Sequence, residues 1–405
     1  MFALLLLRPQ KILFVFGTRP EAIKLCPVVE RLRSEPDAFA VKICATAQHR
    51  ELLDQVLTVF DVRPDYDLDA MRPGQSLTQI TSRILAGLEG VLREDPPDWV
   101  VVQGDTTSTL CGALAAFYAG IRVAHVEAGL RTGDPGQPFP EEMNRVLTGR
   151  IATLHFPATK WAQNNLLREG VLKRDTLITG NSGIDSVLSI RRRLESGALA
   201  GAEWPWLNQD RKLILVTAHR RESFGNGFEQ ISNGLACLAT RDDVQVAYAV
   251  HPNPNVTEPV RRLLGGLKNV VLLEPLDYIS FVDLMRRAYL LLTDSGGVQE
   301  EGPSLGKPIL VLREKTERPE AVKAGTVRLV GTQAARIVAE SLLLLEDQSE
   351  YSRRSRIHNP YGDGHASERI ARRLKARGWG HSAPMNQAAA SSGFIRDAFS
   401  TPCAR

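Results

Sequence analysis

Cysteine is scarce in this sequence of 405 residues, and its spacing is irregular. The cysteines are odd in number and include no C-x-x-C pair, so they favour neither a disulfide framework nor a thiolate metal site. A reducing cytosol suits this usage, and we expect a cytoplasmic protein without a bound metal. The five positions are Cys26, Cys44, Cys111, Cys237 and Cys403.

Long apolar runs are also missing. No stretch approaches the ~20 apolar residues of a membrane-spanning helix. The apolar run at the start is short, follows no basic residues and precedes no small-residue cleavage site, so it does not fit a signal peptide. We therefore expect a soluble protein without a membrane partner.

A strong charge of one sign is absent as well. Lys and Arg number 50 against 46 Asp and Glu, a surplus too small to indicate a nucleic-acid partner. The surplus is local, because residues 351–380 hold eight basic and two acidic side chains. With 43% hydrophobic and 24% charged residues, the composition is typical of a soluble globular protein.

Two common nucleotide-binding motifs do not occur in the chain. There is no G-x-G-x-x-G sequence, and Gly306-Lys307 is followed by Pro308 where a P-loop has Ser or Thr. A nicotinamide-dependent dehydrogenase and a P-loop ATPase are therefore disfavoured, and we expect no cofactor. The eight histidines are too dispersed to indicate a metal site.

What the sequence does have is an alternation of short β-branched apolar runs with helical patterns. Apolar runs that end at Gly, Pro, Thr or Asp are typical of strands buried on both faces. Helical spacing between them is clearest over 21–33, 77–93 and 108–119. The alternation predicts an α/β protein with parallel, doubly wound sheets. The predicted strands are 11–16, 41–45, 99–103, 122–126, 155–157, 176–178, 212–217, 244–250, 270–273, 289–293, 309–311 and 327–330.

The alternation breaks over 196–211, where Gly and Pro occur without a clear period. At roughly 150 residues per domain, the length suggests two or three domains. We predict two doubly wound, Rossmann-like domains, 1–195 and 211–365, that face each other across a cleft. The basic segment 366–380 predicts a helix that packs back on the first domain. The small polar residues of 381–405 predict a flexible tail.

A glycine-containing motif follows a predicted strand of the second domain. In the segment 294–301, the glycines Gly296 and Gly297 let the backbone approach a phosphate closely, and Ser295 adds a hydroxyl donor. Glu301 lies about one helical turn later and can bind the vicinal hydroxyls of a ribose. A plain strand–turn–helix junction would also use glycine. The combination with Ser and Glu favours a diphosphate site.

Charged side chains follow the predicted strands of the first domain. Arg19 and Lys24 come after the first strand, and Arg19 could grip a phosphate with its guanidinium. Asp105, Glu127 and Glu141 stand at later strand ends or helix starts. Asp105 could simply cap a helix, and Glu141 could complement a helix dipole, whereas Glu is a poor N-cap and Glu127 is better explained by a ligand. Three carboxylates beside one cleft are nonetheless what proton transfer at an unactivated carbon requires.

Several histidines also stand at strand ends. His219 could donate a proton or bind a phosphate, although a single histidine is more often structural. His251 repeats this placement in the second domain, and Gln48 and His49 repeat it in the first. Arg318 is a further cleft candidate, unless it is simply a solvated loop charge.

Taken together, these segments resemble the motifs of bacterial non-hydrolysing UDP-N-acetylglucosamine (UDP-GlcNAc) 2-epimerases. The resemblance runs from about 11 to 377, in order and with compatible spacing. It implies the GT-B architecture, a homodimer, a role in making cell-surface polysaccharides, and interconversion of UDP-GlcNAc and UDP-N-acetylmannosamine without a nicotinamide or a required metal. The matching segments are 16–24, 46–51, 104–107, 125–134, 140–145, 219–225, 294–301 and 316–320.

The resemblance also implies roles for particular residues. The uracil is expected near 276–281, where Leu276 replaces a polar residue of the family. An effector pocket for a second UDP-GlcNAc would include Gln48, His49 and His251. The implied catalytic set is Asp105, Glu127, Glu141 and His219. The implied substrate contacts are Arg19, Lys24, Asp105, Glu127, His219, Leu276, Phe281, Ser295, Gly296, Gly297, Glu301 and Arg318.

The family's chemistry matches this set of residues. The proton at C2 of the sugar is barely acidic, and its removal becomes feasible when UDP leaves C1 and a glycal forms. Carboxylates are then needed around the sugar, and cations around the departing diphosphate. A GT-B glycosyltransferase using a UDP-sugar donor, a hydrolysing 2-epimerase and a non-catalytic sugar-nucleotide sensor remain as alternatives.

Overall fold

The computed structural model describes residues 8–46, 50–316, 318–356 and 358–377. Gln48 and His49 of the expected effector pocket, and the predicted tail 381–405, lie outside these residues. In the described part, twelve strands form two sheets. They are β1 (Gln10–Phe16), β2 (Phe39–Ala45), β3 (Tyr66–Asp67), β4 (Trp99–Gln103), β5 (Arg122–Val126), β6 (Leu154–Phe156), β7 (Lys212–Thr217), β8 (Val244–Ala249), β9 (Val270–Leu273), β10 (Leu290–Thr293), β11 (Ile309–Val311) and β12 (Val327–Leu329).

Helices connect these strands in both halves of the chain. The first half holds α1 (Arg19–Arg33), α2 (Arg50–Val59), α3 (Leu77–Glu94), α4 (Thr107–Tyr118), α5 (Glu141–Ile151), α6 (Lys160–Arg168) and α7 (Ser182–Glu195). The second half holds α8 (Asn226–Leu238), α9 (Pro254–Leu264), α10 (Tyr278–Arg287), α11 (Gly296–Glu301), α12 (Pro319–Ala324), α13 (Ala334–Glu346), α14 (Gln348–Ser355) and α15 (Ala366–Arg377). Short 3-10 helices cover Lys173–Asp175, Arg221–Ser223 and Gly302–Leu305.

The two sheets have the same topology. The first has the order β3-β2-β1-β4-β5-β6, and the second, read from the opposite edge, β9-β8-β7-β10-β11-β12. Every pairing between these strands is parallel. This strand order defines the doubly wound Rossmann fold. The predicted fold class is confirmed.

Burial explains why the central strands could be predicted. All the residues of β4 and β10 are buried, and β1 and β7 are buried over most of their length. Helices cover both faces of these strands, which is why apolar residues occupy consecutive positions. The edge strands β3, β9 and β12 are more exposed.

The prediction of a strand over 176–178 is wrong. This segment runs beside β6, and Leu177 N donates to His155 O at 3.0 Å. Only Thr176 forms a bridge, with His155, because the chain soon turns at Gly180 into α7. The sheet instead gains β3 at its opposite edge, a two-residue strand too short to be recognised from an apolar pattern.

The chain crosses between the two halves twice. The linker after α7 is held to the second half by Trp204, whose indole N–H donates to the buried Asp283 at 2.7 Å. After α14 the chain returns, and Tyr361 O accepts from Asn181 N at 2.7 Å. Helix α15 then packs on α1 and α7 of the first half.

Asp185 anchors this returning helix. The side chain is buried on α7, and its two carboxylate oxygens accept from Ala366 N at 3.2 Å and Ser367 N at 2.8 Å. These are donors of the first turn of α15, which otherwise have no partner within the helix. No helix in the described part of the chain is long and apolar enough to cross a membrane.

Replacing Asp185 with Ala should therefore loosen α15. We expect the free energy of unfolding of the first domain to fall by about 1–3 kcal/mol, because two buried N–H groups lose their acceptor. Urea denaturation would measure the loss. Glu368→Ala is the control, since its exposed pairs with Arg372 and His365 contribute little. Equal effects of the two substitutions would contradict this role of Asp185.

Candidate active site

Four polar loops meet at the two topological switch points. In a doubly wound sheet, the switch point lies where the strand order reverses, and ligands bind beyond the carboxyl ends of the strands there. The loop segments 17–18 and 104–106 follow β1 and β4 in the first sheet, and 218–225 and 294–295 follow β7 and β10 in the second. The sequence motifs thus lie where each fold opens a crevice.

Lys24 is the central cation of the first domain. Its Nζ lies 2.5 Å from Glu127 Oε1 and 4.0 Å from Glu300 Oε2 of the second domain. Burial by itself lowers the pKa of Lys24, but the two carboxylates outweigh it and raise the pKa. Gln103, the last residue of β4, donates its side-chain N–H to the other oxygen of Glu127. The carboxylate of Glu127 is therefore held from two sides.

The backbone of Glu127 is itself unusual. Its φ of 59° lies in the left-handed region, which costs a residue with a Cβ free energy of order 1 kcal/mol. The residue follows β5 directly, and this conformation turns its side chain back toward the end of β4. The hydrogen bond from Gln103 and the ion pair with Lys24 both depend on that turn.

Asp105 is the second carboxylate of the cluster. Burial is the main cause that raises its pKa to about 6, and Arg145 opposes the shift from 3.3 Å. The negative charges of Glu127 and Glu141 raise the pKa further. Asn144 Nδ2 donates to the backbone carbonyl of Asp105 at 3.0 Å, so α5 supports this residue through two side chains.

Asp294 organises the second domain's part of the site. This buried carboxylate accepts from His219 N and from Arg220 N, both at 2.7 Å. The imidazole of His219 lies 3.4 Å from Asp294, and its ring stacks on that of His251 with 5.5 Å between centroids. Burial lowers the pKa of His219, with Asp294 opposing. The lowered pKa favours the neutral imidazole of His219.

Arg318 lies against the glycine pair that opens α11. A Cβ at Gly296 would be only 2.4 Å from Arg318 Cζ, so a larger residue there would push the guanidinium away from its present position. Glu300 Oε1 accepts from Arg318 Nε at 2.6 Å and holds the guanidinium there. The backbone beside Ser295 and the guanidinium together give a positively polarised surface suited to an anion.

Glu301 faces the first domain from the other side of the same crevice. Burial raises its pKa to about 8, with Glu300 adding to the shift and the charges of Lys24 and Arg19 opposing it. Tyr278 Oη donates to Glu301 at 3.4 Å. Gly183 of α7 lies between Lys24 and Glu301. A Cβ at Gly183 would be 3.5 Å from Lys24 Cγ and 3.7 Å from Glu301 Oε1. The two domains therefore meet at Gly183.

The remaining predicted residues lie around this cluster. Glu141 is the first residue of α5 and acts on Asp105 by charge. Leu276 is in the loop between β9 and α10, and Phe281 is on α10; both side chains are half-buried against the core. His251 is exposed beside His219.

Sequence reasoning missed four supporting residues. Asn181, at the start of α7, donates its Nδ2 to Glu300 Oε2 at 2.7 Å and so joins the two domains. The other three lie inside or beside recognised motifs, but their partners are distant in sequence. They are Arg145, Asp294 and Glu300. No local signal pointed to Asn181.

Replacing Arg145 with Gln should raise the pKa of Asp105 above about 6. The guanidinium favours the ionised carboxylate, so its loss shifts the equilibrium toward the protonated form. Titration of ¹³C-labelled aspartate by NMR would measure the shift. Arg150→Gln is the matched control on α5, because Arg150 bonds to Glu169 O instead. An unchanged titration of Asp105 in Arg145→Gln would refute the interaction.

Sequence comparison connects this site to a known family. The family profile described as UDP-N-acetylglucosamine 2-epimerase matches residues 30–375. The UDP-N-acetylglucosamine 2-epimerase of Salmonella typhimurium is 57% identical over 371 residues, which cover 90% of this chain and 98% of the relative. That of Escherichia coli K12 is 58% identical over 370 residues, with the same coverage.

A solved structure gives the same answer. The crystal structure of UDP-GlcNAc 2-epimerase from Neisseria meningitidis bound to UDP-GlcNAc matches with a TM-score of 0.82 and 45% sequence identity. The match covers 90% of this chain and 99% of the Neisseria chain. The GT-B arrangement of two facing Rossmann-like domains is thereby confirmed. With two parallel sheets of one topology and an extended sequence match, the chain belongs to the UDP-N-acetylglucosamine 2-epimerase family.

Proposed function

We propose that this protein interconverts UDP-GlcNAc and UDP-N-acetylmannosamine by eliminating UDP and adding it back through a glycal. The observation that carries the proposal is the contact between an acidic cluster on the first domain and an anion-binding surface on the second, with Lys24 between them. Lys24 Nζ lies 2.5 Å from Glu127 of the first domain. On its other side, Lys24 faces Glu301 of the second domain. A diphosphate and the sugar attached to it need both kinds of surface at once.

The diphosphate is proposed to bind between the domains. Ser295, the glycines that follow it and Arg318 contact it from the second domain, and Arg19 and Lys24 from the first. The charge of Arg19 lowers the pKa of Glu301 in the second domain, which supports a position of Arg19 beside the cleft. Glu301 is proposed to bind the ribose, and the segment 276–281 with Phe281 the uracil.

The proposed elimination removes the proton at C2 of the sugar as UDP leaves C1. A carboxylate takes the C2 proton, the electrons of the C–H bond form the C1=C2 double bond, and the C1–O bond to the diphosphate breaks with its electron pair on UDP. Cations around the diphosphate stabilise the charge that develops there. Asp105, with a pKa of about 6, can both take and give a proton near neutral pH.

Re-addition completes the epimerisation. A proton is delivered to C2 on the opposite face, and the UDP oxygen re-forms its bond to C1. Asp105, Glu127, Glu141 and His219 are the proposed acid–base groups. Since UDP is returned to the sugar, the reaction consumes no water and releases no free sugar.

Retention of UDP and the glycal requires that the domains stay together during the reaction. Two contacts support this: Asn181 donates to Glu300 at 2.7 Å, and Thr159 Oγ1 donates to Glu320 Oε1 at 2.7 Å. Both join the first domain to the second beside the cleft. Exclusion of water protects a reactive intermediate from side reactions.

Activation by a second UDP-GlcNAc stays a prediction, as do the homodimer and the cytoplasmic location. His251, a residue of the expected effector pocket, lies within the described residues, and its ring stacks on that of His219. A ligand that contacted His251 would therefore act directly on a proposed acid–base group.

Incubation with UDP-GlcNAc in deuterated water tests the proposed reaction. We expect UDP-N-acetylmannosamine and UDP-GlcNAc that both carry deuterium at C2, because C2 is reprotonated from solvent, as seen by NMR. Free N-acetylmannosamine would indicate a hydrolysing epimerase, and UDP release that depends on an acceptor would indicate a glycosyltransferase. The absence of turnover would leave a sugar-nucleotide sensor.

Replacing Glu127 with Gln should separate binding from chemistry. We expect kcat to fall at least 10²-fold, since a positioned acid–base group contributes typically 10²–10⁴-fold, while UDP still binds. Steady-state kinetics and calorimetric titration with UDP would measure the two effects. Glu89→Gln, on the exposed face of α3, is the control. Wild-type turnover in Glu127→Gln would remove Glu127 from the mechanism.

A further inference from the structure

Glu21, in the first turn of α1, is a buried carboxylate that the proposed reaction does not use. Its side chain is 1% exposed. One oxygen, Oε2, accepts from Gly17 N at 3.0 Å, from Thr18 N at 2.8 Å and from Thr18 Oγ1 at 2.7 Å. These donors form the turn between β1 and α1. This half of the arrangement is an ordinary helix cap.

The other carboxylate oxygen of Glu21 contacts a different helix. Oε1 lies 2.7 Å from Thr106 Oγ1 and 3.0 Å from Thr109 Oγ1, both at the start of α4. Thr106 is the N-cap of α4 and the next residue after Asp105. A single carboxylate thus joins the loop after β1 to the loop after β4, the two sides of the first domain's switch point.

These contacts lead directly to the acidic cluster. Thr109 Oγ1 also lies 2.6 Å from the backbone carbonyl of Gln103, whose side chain bonds to Glu127. Helix α1, which carries Glu21, also carries Arg19 and Lys24. The Glu21 carboxylate is therefore fixed relative to the cations on one side and to Asp105 and Gln103 on the other.

Helix capping alone does not explain a glutamate with this degree of burial. Burying a carboxylate is costly unless it is paired or fully hydrogen-bonded. None of the ion pairs within the described residues involves Glu21, and burial raises its pKa. Five polar atoms from two loops surround it instead. An exposed Ser or Asp cap would satisfy the start of α1 at lower cost.

We infer that Glu21 is a positioning residue: its carboxylate fixes the distance between the α1 cations and Asp105, and so the geometry in which a proton and a diphosphate leave adjacent carbons. The inference rests on the proposed epimerisation. A displacement of about 1 Å in such a site can reduce the rate about 10²-fold.

Glu21→Asp tests this inference most directly. The shorter carboxylate can still accept from the β1–α1 turn, but it no longer reaches Thr106 and Thr109. We expect kcat for UDP-GlcNAc to fall at least tenfold while the Kd for UDP changes by less than about threefold, because UDP binds mainly to the second domain. Glu30→Asp, an exposed position further along α1, is the matched control and should match wild type.

Thr106 offers a second pair of variants in case Glu21→Asp does not fold. Thr106→Ser keeps the hydroxyl that contacts Glu21 and caps α4, so kcat should stay within about twofold of wild type. Thr106→Val removes the hydroxyl at similar size and should lower kcat as Glu21→Asp does. A capping role alone predicts a less stable Thr106→Val protein whose folded molecules retain the wild-type kcat, which would overturn the inference.

Hydrogen exchange gives a readout that does not depend on turnover. In Glu21→Asp, the amides of 104–110 should exchange faster than in wild type, whereas those of β7 to β10 should not change. If wild type epimerises but Glu21→Asp keeps the wild-type kcat and exchange, Glu21 has no positioning role. If the wild-type protein does not epimerise UDP-GlcNAc at all, the proposed function fails. Unchanged hydrogen exchange over 104–110 in Glu21→Asp would separately refute the link between the two loops.

Discussion

Neutralisation of buried charge is the constraint on which the site depends. Between the domains, Lys24 lies between Glu127 and Glu300, and Glu300 also accepts from Arg318. Each ion is costly to bury alone, so the cations and carboxylates are stable there only as an alternating set. Because the members come from both domains, the pairing that neutralises the charges also holds the two Rossmann-like units face to face. The chemistry and the architecture thus share the same contacts.

Much of the fold could be predicted because its signals are local. A strand covered on both faces must be apolar at consecutive positions, and β1, β4, β7 and β10 satisfy this almost throughout. The loops after these strands were recognised by polar residues that end each apolar run. The rule that ligands bind at the switch point then predicts that the motifs of both halves meet at one cleft.

The sequence did not indicate which side chains hold the site residues in position. Asn181 and Glu300 are 119 positions apart, and His219 and Asp294 are 75 apart, so no periodicity within one element connects them. The prediction for the edges of the first sheet was wrong for a related reason. β3 has two residues, and its position depends on pairing with β2, whereas 176–178 has the composition of a strand but forms only one bridge.

The two crossings between the domains limit how the cleft can open. One is the linker held by Trp204, and the other is the return through Tyr361 to α15, which Asp185 fastens to the first domain. A rigid body tied at two points can swing about the line that joins them but cannot slide or tumble freely. Any relative movement of the second domain must keep both connections intact, which favours rotation about them over free separation of Arg318 and Glu301 from Lys24.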